Sequence, residues 1–295
     1  MGVVALSREP GVVRRRIPRR MDSKMATSSD CEAKLSQFCH CYVDAGRPGL
    51  IHCIRHPVKS LSAFVAVYQI PTLRANPTDG MEGAVIRTEL SRGSVIRRTI
   101  FPAMAVLILP RAPGQYELGA SKQTLRRKVR RARRLGVSWA SVDDLGERQR
   151  LLELAAERER NHPVEYYRNP NPDLSSLLSY GLWLAAYSAD GRPLLLSVTP
   201  VDGEWALLHY FRTLTTGEDA SSARYLMTQV LVEHLVRLGA WYLIDQASPL
   251  WLANGLRHYQ RMLGFRLVRF RLKRVWRSRS PGPPNAQQAH PVYQR

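Results

Sequence analysis

His258-Tyr259-Gln260-Arg261-Met262-Leu263-Gly264-Phe265 joins a helical stretch, Leu252 to Gly264, to a β-like run that begins at Phe265. A glycine at 264 can close the helix in a left-handed conformation that no β-carbon opposes, and Phe265 returns the chain to the core as the strand starts. Tyr259 then lies about a turn and a half before the helix end. It faces the neighbouring strands across one helix edge, where a phenol can give or take a proton. The competing reading is a core tyrosine whose hydroxyl is satisfied by a neighbour.

Working upstream from this junction, apolar periodicity sets a clear order from Arg98 onward. Ile100 to Leu109 reads as a buried strand, Pro110 to Gly119 as a turn region, and Ser121 to Leu135 as a strongly basic helix, with Ser121 as N-cap and Gly136 as its stop. Val137 to Val142 is a short strand. Asp143 to Arg160 is a helix with Leu145, Leu151, Leu152 and Leu154 to Ala156 on its apolar stripe. Asn161 to Pro172 is a loop able to line a cleft, and Leu174 to Tyr180 a short helix. The runs Leu182 to Ser188, Pro193 to Pro200 and Glu204 to Leu214 are separated by Ala189-Asp190-Gly191-Arg192 and Val201-Asp202-Gly203. Asp-Gly between apolar runs is the strongest local hairpin signal, so these form an antiparallel meander. A helix over Ser222 to Leu238, a strand from Trp241 to Ile244 that ends at Asp245, the Tyr259 helix and a last strand, Phe265 to Val275, complete the order.

That succession, with its Tyr-x-x-x-x-Gly-Phe ending, resembles the GCN5-related N-acetyltransferase fold over about residues 137 to 276. The segment Ser121-Lys122-Gln123-Thr124-Leu125-Arg126-Arg127-Lys128-Val129-Arg130-Arg131-Ala132-Arg133-Arg134-Leu135-Gly136 is similar to the arginine-rich helix of the branch that holds Fem-type peptidyltransferases and BioF2-like acetyltransferases. The resemblance implies a mixed α/β (α+β) fold, with a largely antiparallel sheet flanked by helices, over residues 96–276. It implies two strands that splay apart where the meander meets the following helix, with an acyl donor gripped between them and its phosphates at that helix's N-terminus. The implied activity is N-acyl transfer from acetyl-CoA or another acyl-CoA to an amine-bearing acceptor, with Tyr259 as general acid. The implied donor contacts are Thr215, Thr216, Gly217, Ser221, Ser222, Ala223 and Arg224. The family's Gln/Arg-x-x-Gly-x-Gly/Ala phosphate loop is absent here, and Glu218 and Asp219 stand where they repel phosphate. In the Fem-type variant the donor is an aminoacyl-tRNA and the arginine helix holds its phosphates. For the amine's proton, His209, Asp245 and Glu204 are the candidate acceptors. The competing readings are a buried structural imidazole at 209 and a turn cap at 245.

Composition bounds the partners. The formal charge of +20 is concentrated: residues 1–20 carry six arginines, 121–136 eight Lys/Arg and 266–280 seven. Such patches attract nucleic acid, an acidic membrane surface or cofactor phosphates, and charge alone does not choose among them. A non-catalytic nucleic-acid-binding protein using the 121–136 helix is the reading from a different class, although that helix lacks aromatics to stack on bases. No run reaches the roughly 18 apolar residues of a membrane span. Residues 1–25 read as a disordered basic tail, 26–95 as a poorly ordered N-terminal region of uncertain fold, and 277–295 as a disordered end. Cys31, Cys39, His40, Cys41, His52, Cys53 and His56 cluster without zinc-ligand spacing, so no metal is expected and the thiols suit a reducing cytoplasm.

Overall fold

A computed structural model describes residues 31–35, 37–38, 54–91, 103–165, 168–246 and 254–272. The expectations for both tails, and for Cys39, His40, Cys41, His52 and Cys53, lie outside these residues. The elements in chain order are α1 (Pro57–Gln69), β1 (Thr72–Ala75), α2 (Met81–Ser91), β2 (Ala103–Ile108), α3 (Gln123–Arg134), β3 (Ser138–Ser141), α4 (Leu145–Arg160), β4 (Leu182–Tyr187), β5 (Pro193–Thr199), β6 (Val201–Asp202), β7 (Trp205–Leu208), β8 (Tyr210–Thr213), α5 (Glu218–Arg237), β9 (Tyr242–Asp245), α6 (Asn254–Leu263) and β10 (Arg266–Leu272). The class is mixed α+β, with largely antiparallel sheets flanked by helices, as the sequence led us to expect.

The strands form a six-stranded sheet in the order β1-β10-β2-β9-β7-β6 and a four-stranded sheet in the order β3-β4-β5-β8. Pairing is antiparallel except at β1–β10 and β7–β9. The run read as one strand, Glu204 to Leu214, belongs to both sheets. Its first half pairs with β9 and its second half with β5, and His209 marks the change, its amide turned onto the Leu207 carbonyl at 2.7 Å. The strand expected from Ile100 to Leu109 appears as β2, between β9 and β10 in mid-sheet, where its near-continuous apolar run Ala-Met-Ala-Val-Leu-Ile suits burial on both faces.

α3, α5 and α6 pack on one face, which α1 shares through Ala103 and Leu267. Leu125, Val129 and Ala132 of α3, Ala223, Leu226, Met227, Val230 and Leu231 of α5, and Leu263 at the end of α6 bury against Leu107, Leu184, Leu195 and Leu243. On the opposite face α4 packs Leu151, Leu152 and Ala155 against Trp183, Leu196 and Tyr210, and α2 packs Ile86 and Leu90 against Leu73, Leu207 and Ile244. α2 is also tied by Glu82, whose carboxylate accepts from the Gly181 amide at 2.8 Å and the Val201 amide at 2.9 Å.

Two local expectations change. Ser121 does not cap α3; a short 3-10 turn, Ala120–Lys122, precedes the helix, and Lys122 is its N-cap, its side chain making no capping hydrogen bond. The helix expected over Leu174 to Tyr180 is a 3-10 turn, Ser175–Ser179, closed by bonds from Leu177 to Leu174 and from Tyr180 to Leu177. Asp173 holds the Ser175 amide and hydroxyl, so the side chain competes for groups that an α-helix would use.

Gly264 ends α6 as the sequence predicts. Its φ is 96°, and the Phe265 amide returns to the Gln260 carbonyl at 3.0 Å, a Schellman closure. The Leu263 carbonyl beside it accepts from the Tyr116 hydroxyl at 2.8 Å and from the Lys122 ammonium, which also sits 4.2 Å above the Tyr116 ring. A β-carbon at 264 lies 2.8 Å from the Lys122 Nζ. Gly264→Ala therefore combines a left-handed backbone with a displaced ammonium. We expect a loss of about 1–3 kcal/mol in urea unfolding, with m unchanged.

Candidate active site

The last register pair between β7 and β9 is Leu208 with Asp245. Beyond it β8 turns toward β5, so the two parallel segments part. The next residues on each side, His209 and Gln246, still meet through their side chains, with Gln246 Nε2 2.6 Å from His209 Nδ1. A side-chain hydrogen bond thus stands where the backbone ladder stops.

On the α3–α5–α6 side of this opening is a cavity of about 20 Å³, room for about one water. Leu208, Phe211, Leu231, Leu243, Leu263 and Phe265 supply its apolar wall, and Asp245, Thr228 and Tyr259 its polar groups. The Tyr259 hydroxyl is 3.0 Å from Thr228 Oγ1 and 3.3 Å from the Arg224 carbonyl. Thr228 itself donates to that carbonyl at 2.8 Å. The Tyr225 ring meets Tyr259 edge-on at 5.3 Å, and the Arg224 guanidinium lies 5.6 Å from the ring centre. Burial pushes the Tyr259 phenol up to about 12, against the opposing pull of Arg224 and of the Thr228 hydrogen bond. The Asp245 carboxylate accepts from Gln260 Nε2 at 2.6 Å, so α6 fixes both Tyr259 and the acid facing it.

Of the expected acid–base residues, Tyr259 and Asp245 come together on one cavity wall. His209 projects to the other side of the sheet, where its ring meets Tyr180 edge-on at 5.2 Å. The strand break separates it from Phe211, which would share its face on an unbroken strand. Glu204 opens β7 at its far end, its carbonyl accepting from the Trp241 and Tyr242 amides.

The expected donor-binding residues fall into two groups. Thr216, Gly217 and Ser221 are exposed around the start of α5, while Ser222 and Ala223 are buried on its inner side. Gly217 is the N-cap at φ 134° and carries no side-chain cap. The Thr215 hydroxyl and Arg224 Nε are buried with no hydrogen-bond partner. The two acids at this terminus are both held by arginines. Glu218 pairs with Arg131 of α3, and Asp219 with Arg192 at 3.2 Å while also accepting from the Ala220 amide at 2.8 Å.

α3 runs antiparallel to α5. Arg131 meets Glu218, Lys128 Nζ lies 5.7 Å from the Tyr225 ring centre, and Glu117, just before α3, accepts from Gln229 at 2.8 Å. The C-terminal arginines of α3 are thereby brought to the N-terminal end of α5. Arg127, Arg130, Arg131, Arg133 and Arg134 are all exposed, while Leu125, Val129 and Ala132 face the core.

Thr228, Gln246 and Gln260 did not stand out in the sequence. Their only signals are adjacency and period: Gln246 follows Asp245, Gln260 follows Tyr259, and Thr228 lies one helical turn beyond Arg224.

No family model and no curated protein matches the chain. Among solved structures it is similar to L-PGS from Bacillus licheniformis, at 11% identity and a TM-score of 0.43, covering 56% of this chain and 58% of that one. It is also similar to the C-terminal domain of an assigned lysylphosphatidylglycerol synthetase from Agrobacterium fabrum, at 15% identity, a TM-score of 0.44 and coverage of 56% and 58%. A conserved protein of unknown function from Bacteroides thetaiotaomicron gives 15% identity, a TM-score of 0.40 and coverage of 55% and 56%. The chain spans somewhat more than half the length of each of these proteins.

Proposed function

We propose that the chain is an acyltransferase that moves an aminoacyl group from tRNA to an amine acceptor, which sets the reaction in the cytoplasm. One observation carries this reading. The strand 205–213 leaves its partner at His209, and the hydroxyl of a partly buried tyrosine lines the gap so opened.

The chemistry follows from the groups at that gap. The acceptor amine approaches the ester carbonyl from the His209 side, where the imidazole takes up the ammonium proton as the C–N bond forms. The C–O bond to the ribose breaks on the other side, and its alkoxide takes the proton of Tyr259. A phenol held up to about 12 stays protonated at neutral pH and suits an alkoxide, a strong base that needs a proton to leave. A thiol, with an ordinary pKa of about 8.5, leaves as thiolate with far less help. Asp245, held by Gln260, orients the reacting groups on the cavity side.

The start of α5 supports the same donor. Thr228 lies eleven residues beyond Gly217, roughly 16 Å along the helix axis. The arginine face of α3 stands at the far end of that span and suits a polyanion that passes over it. Glu218 and Asp219, each paired with an arginine, stand where a pyrophosphate-binding loop would need free amides, which disfavours acyl-CoA.

Thermal melting of the full chain with uncharged tRNA, CoA or acetyl-CoA at low and high salt tests this. The expected result is stabilisation by tRNA that fades steeply with salt, and no response to CoA or acetyl-CoA. Stabilisation by acetyl-CoA that survives salt replaces the tRNA reading with the acyl-CoA one. Tight tRNA binding with no acceleration of ester aminolysis by a simple amine replaces it with a nucleic-acid-binding protein.

A further inference from the structure

α1 wears its large apolar side chains outward. Its inner face buries only Ser60, Ala63, Ala66 and Val67, against the cluster containing Ile70, Ala103 and Leu267. Its outer face carries Val58 at 79% exposure, Leu61 at 67%, Val65 at 50% and Tyr68 at 72%, at the i, i+3, i+7, i+10 spacing of one helical stripe. Phe64 and Ile54 extend this stripe, both exposed. Packing alone would put leucine and valine inward and alanine outward, so the stripe is an interaction surface.

The charge around it chooses the partner. From residue 45 to residue 78 the sequence contains no Asp or Glu, while Arg55 and Lys59 flank the stripe near its start. At its other end the Arg269 guanidinium donates to the Tyr68 carbonyl at 2.8 Å and the Ile70 carbonyl at 3.2 Å, 5.5 Å from the Tyr68 ring centre. Arg271 lies on the same sheet face as Arg269, and its register partner is the exposed Arg74. The acid packed on this side, Glu32, is turned onto the Leu267 amide at 3.0 Å. An apolar stripe roughly 20 Å long, rimmed by cations and ending in a tyrosine, has the composition that seats in the interface of an anionic bilayer. A second copy of the chain would set the rim of Arg55, Lys59, Arg74 and Arg271 against the same set of cations, whichever way the two stripes run. No helix among the described residues is long and apolar enough to cross a membrane, so the contact is peripheral.

We infer that the outer face of α1 docks the protein on an anionic membrane surface, with Val58, Leu61, Val65 and Tyr68 in the headgroup–acyl boundary and Arg55, Lys59, Arg74 and Arg271 on the lipid phosphates. This does not depend on the reaction at Tyr259.

The experiment is co-sedimentation of the full chain with vesicles of equal parts phosphatidylglycerol and phosphatidylcholine. It compares the parent, Leu61→Gln/Val65→Gln and Arg55→Gln/Lys59→Gln, with Tyr68→Trp as a depth probe. Because both altered apolar residues are exposed, the variants keep the parent's melting temperature. At high salt, which silences the basic tails, the apolar variant is expected to lose about tenfold or more in vesicle affinity. The charge variant loses affinity at low salt only. Tryptophan at 68 is quenched by brominated lipid beyond the parent's own response. Parent-like vesicle binding by Leu61→Gln/Val65→Gln, or no added quenching at 68, overturns the inference. A dimer of the parent that these substitutions dissolve also overturns it, in favour of self-association.

Discussion

Tyr259→Phe is expected to lower kcat for aminoacyl transfer by about 100-fold to 10,000-fold, the usual contribution of a positioned general acid. KM for the charged tRNA should stay within a few-fold of the parent's, because the phenol acts on the leaving oxygen as it becomes an alkoxide and adds little to binding before that. The substitution removes one hydroxyl from a cavity whose wall also includes Leu208, Leu243, Leu263, Phe265, Thr228 and Asp245, and the ring keeps its packing against Tyr225. Thr228 then retains its bond to the Arg224 carbonyl and loses only the tyrosine partner. A companion variant, Thr228→Val, disturbs the same phenol without removing it and should fall between the two. Burial also predicts a difference in alkaline stability. The folded phenol is raised to about 12 from an unfolded value near 10, so the unfolded state loses its proton first as pH rises. The stability tied to this group is complete below pH 10 and is lost between about 10 and 12. The Phe variant lacks that loss, so the gap between the two denaturation curves narrows across this window. Unchanged kcat in Tyr259→Phe would remove the phenol from the reaction.

The sequence made the helix-to-strand junction at Gly264, the Asp-Gly meander and the basic helix legible because each rests on local chemistry: a left-handed glycine, a tight turn, a 3.6-residue apolar stripe. The break at His209 was not legible. Trp205 to Thr213 is a continuous β-prone run, and what divides it is the competition between β9 and β5 for its two halves, a contest between segments far apart in the chain. The same holds for β2. Its apolar run announced a buried strand, but its place between β9 and β10 follows from closure of the sheet. Site residues divide in the same way. Tyr259 stood out through the Tyr-x-x-x-x-Gly-Phe ending and Asp245 through its place at a strand end, whereas Gln260 and Thr228 are polar residues inside helices with no such signal. Their role appears only once α5 and α6 are seen to face each other across the cavity.

Replacing Arg130, Arg133 and Arg134 together by glutamine should weaken tRNA binding by about 100-fold to 1,000-fold at low salt and make the remaining binding less sensitive to salt. All three are exposed on α3, whose buried side is Leu125, Val129 and Ala132, so the core contacts of the helix are untouched. Arg131 is left in place because it pairs with Glu218, and Arg126 because it donates to the Glu117 and Gly119 carbonyls; changing either would confound binding with folding. If each of the three neutralises one phosphate, the slope of log K against log salt shrinks by about 2 to 3. A solvated arginine face predicts otherwise: affinity and slope both stay at the parent's values, and the variant merely carries less charge. The slope separates local contact from a general field. The basic segments 1–20 and 266–280 remain in the variant, and they sustain long-range attraction that high salt screens out. A slope that shrinks while those segments are unchanged therefore belongs to α3 at the head of α5. With Tyr259 intact, the kcat of whatever donor is still bound should hold, which separates the grip on the donor from the chemistry at the gap.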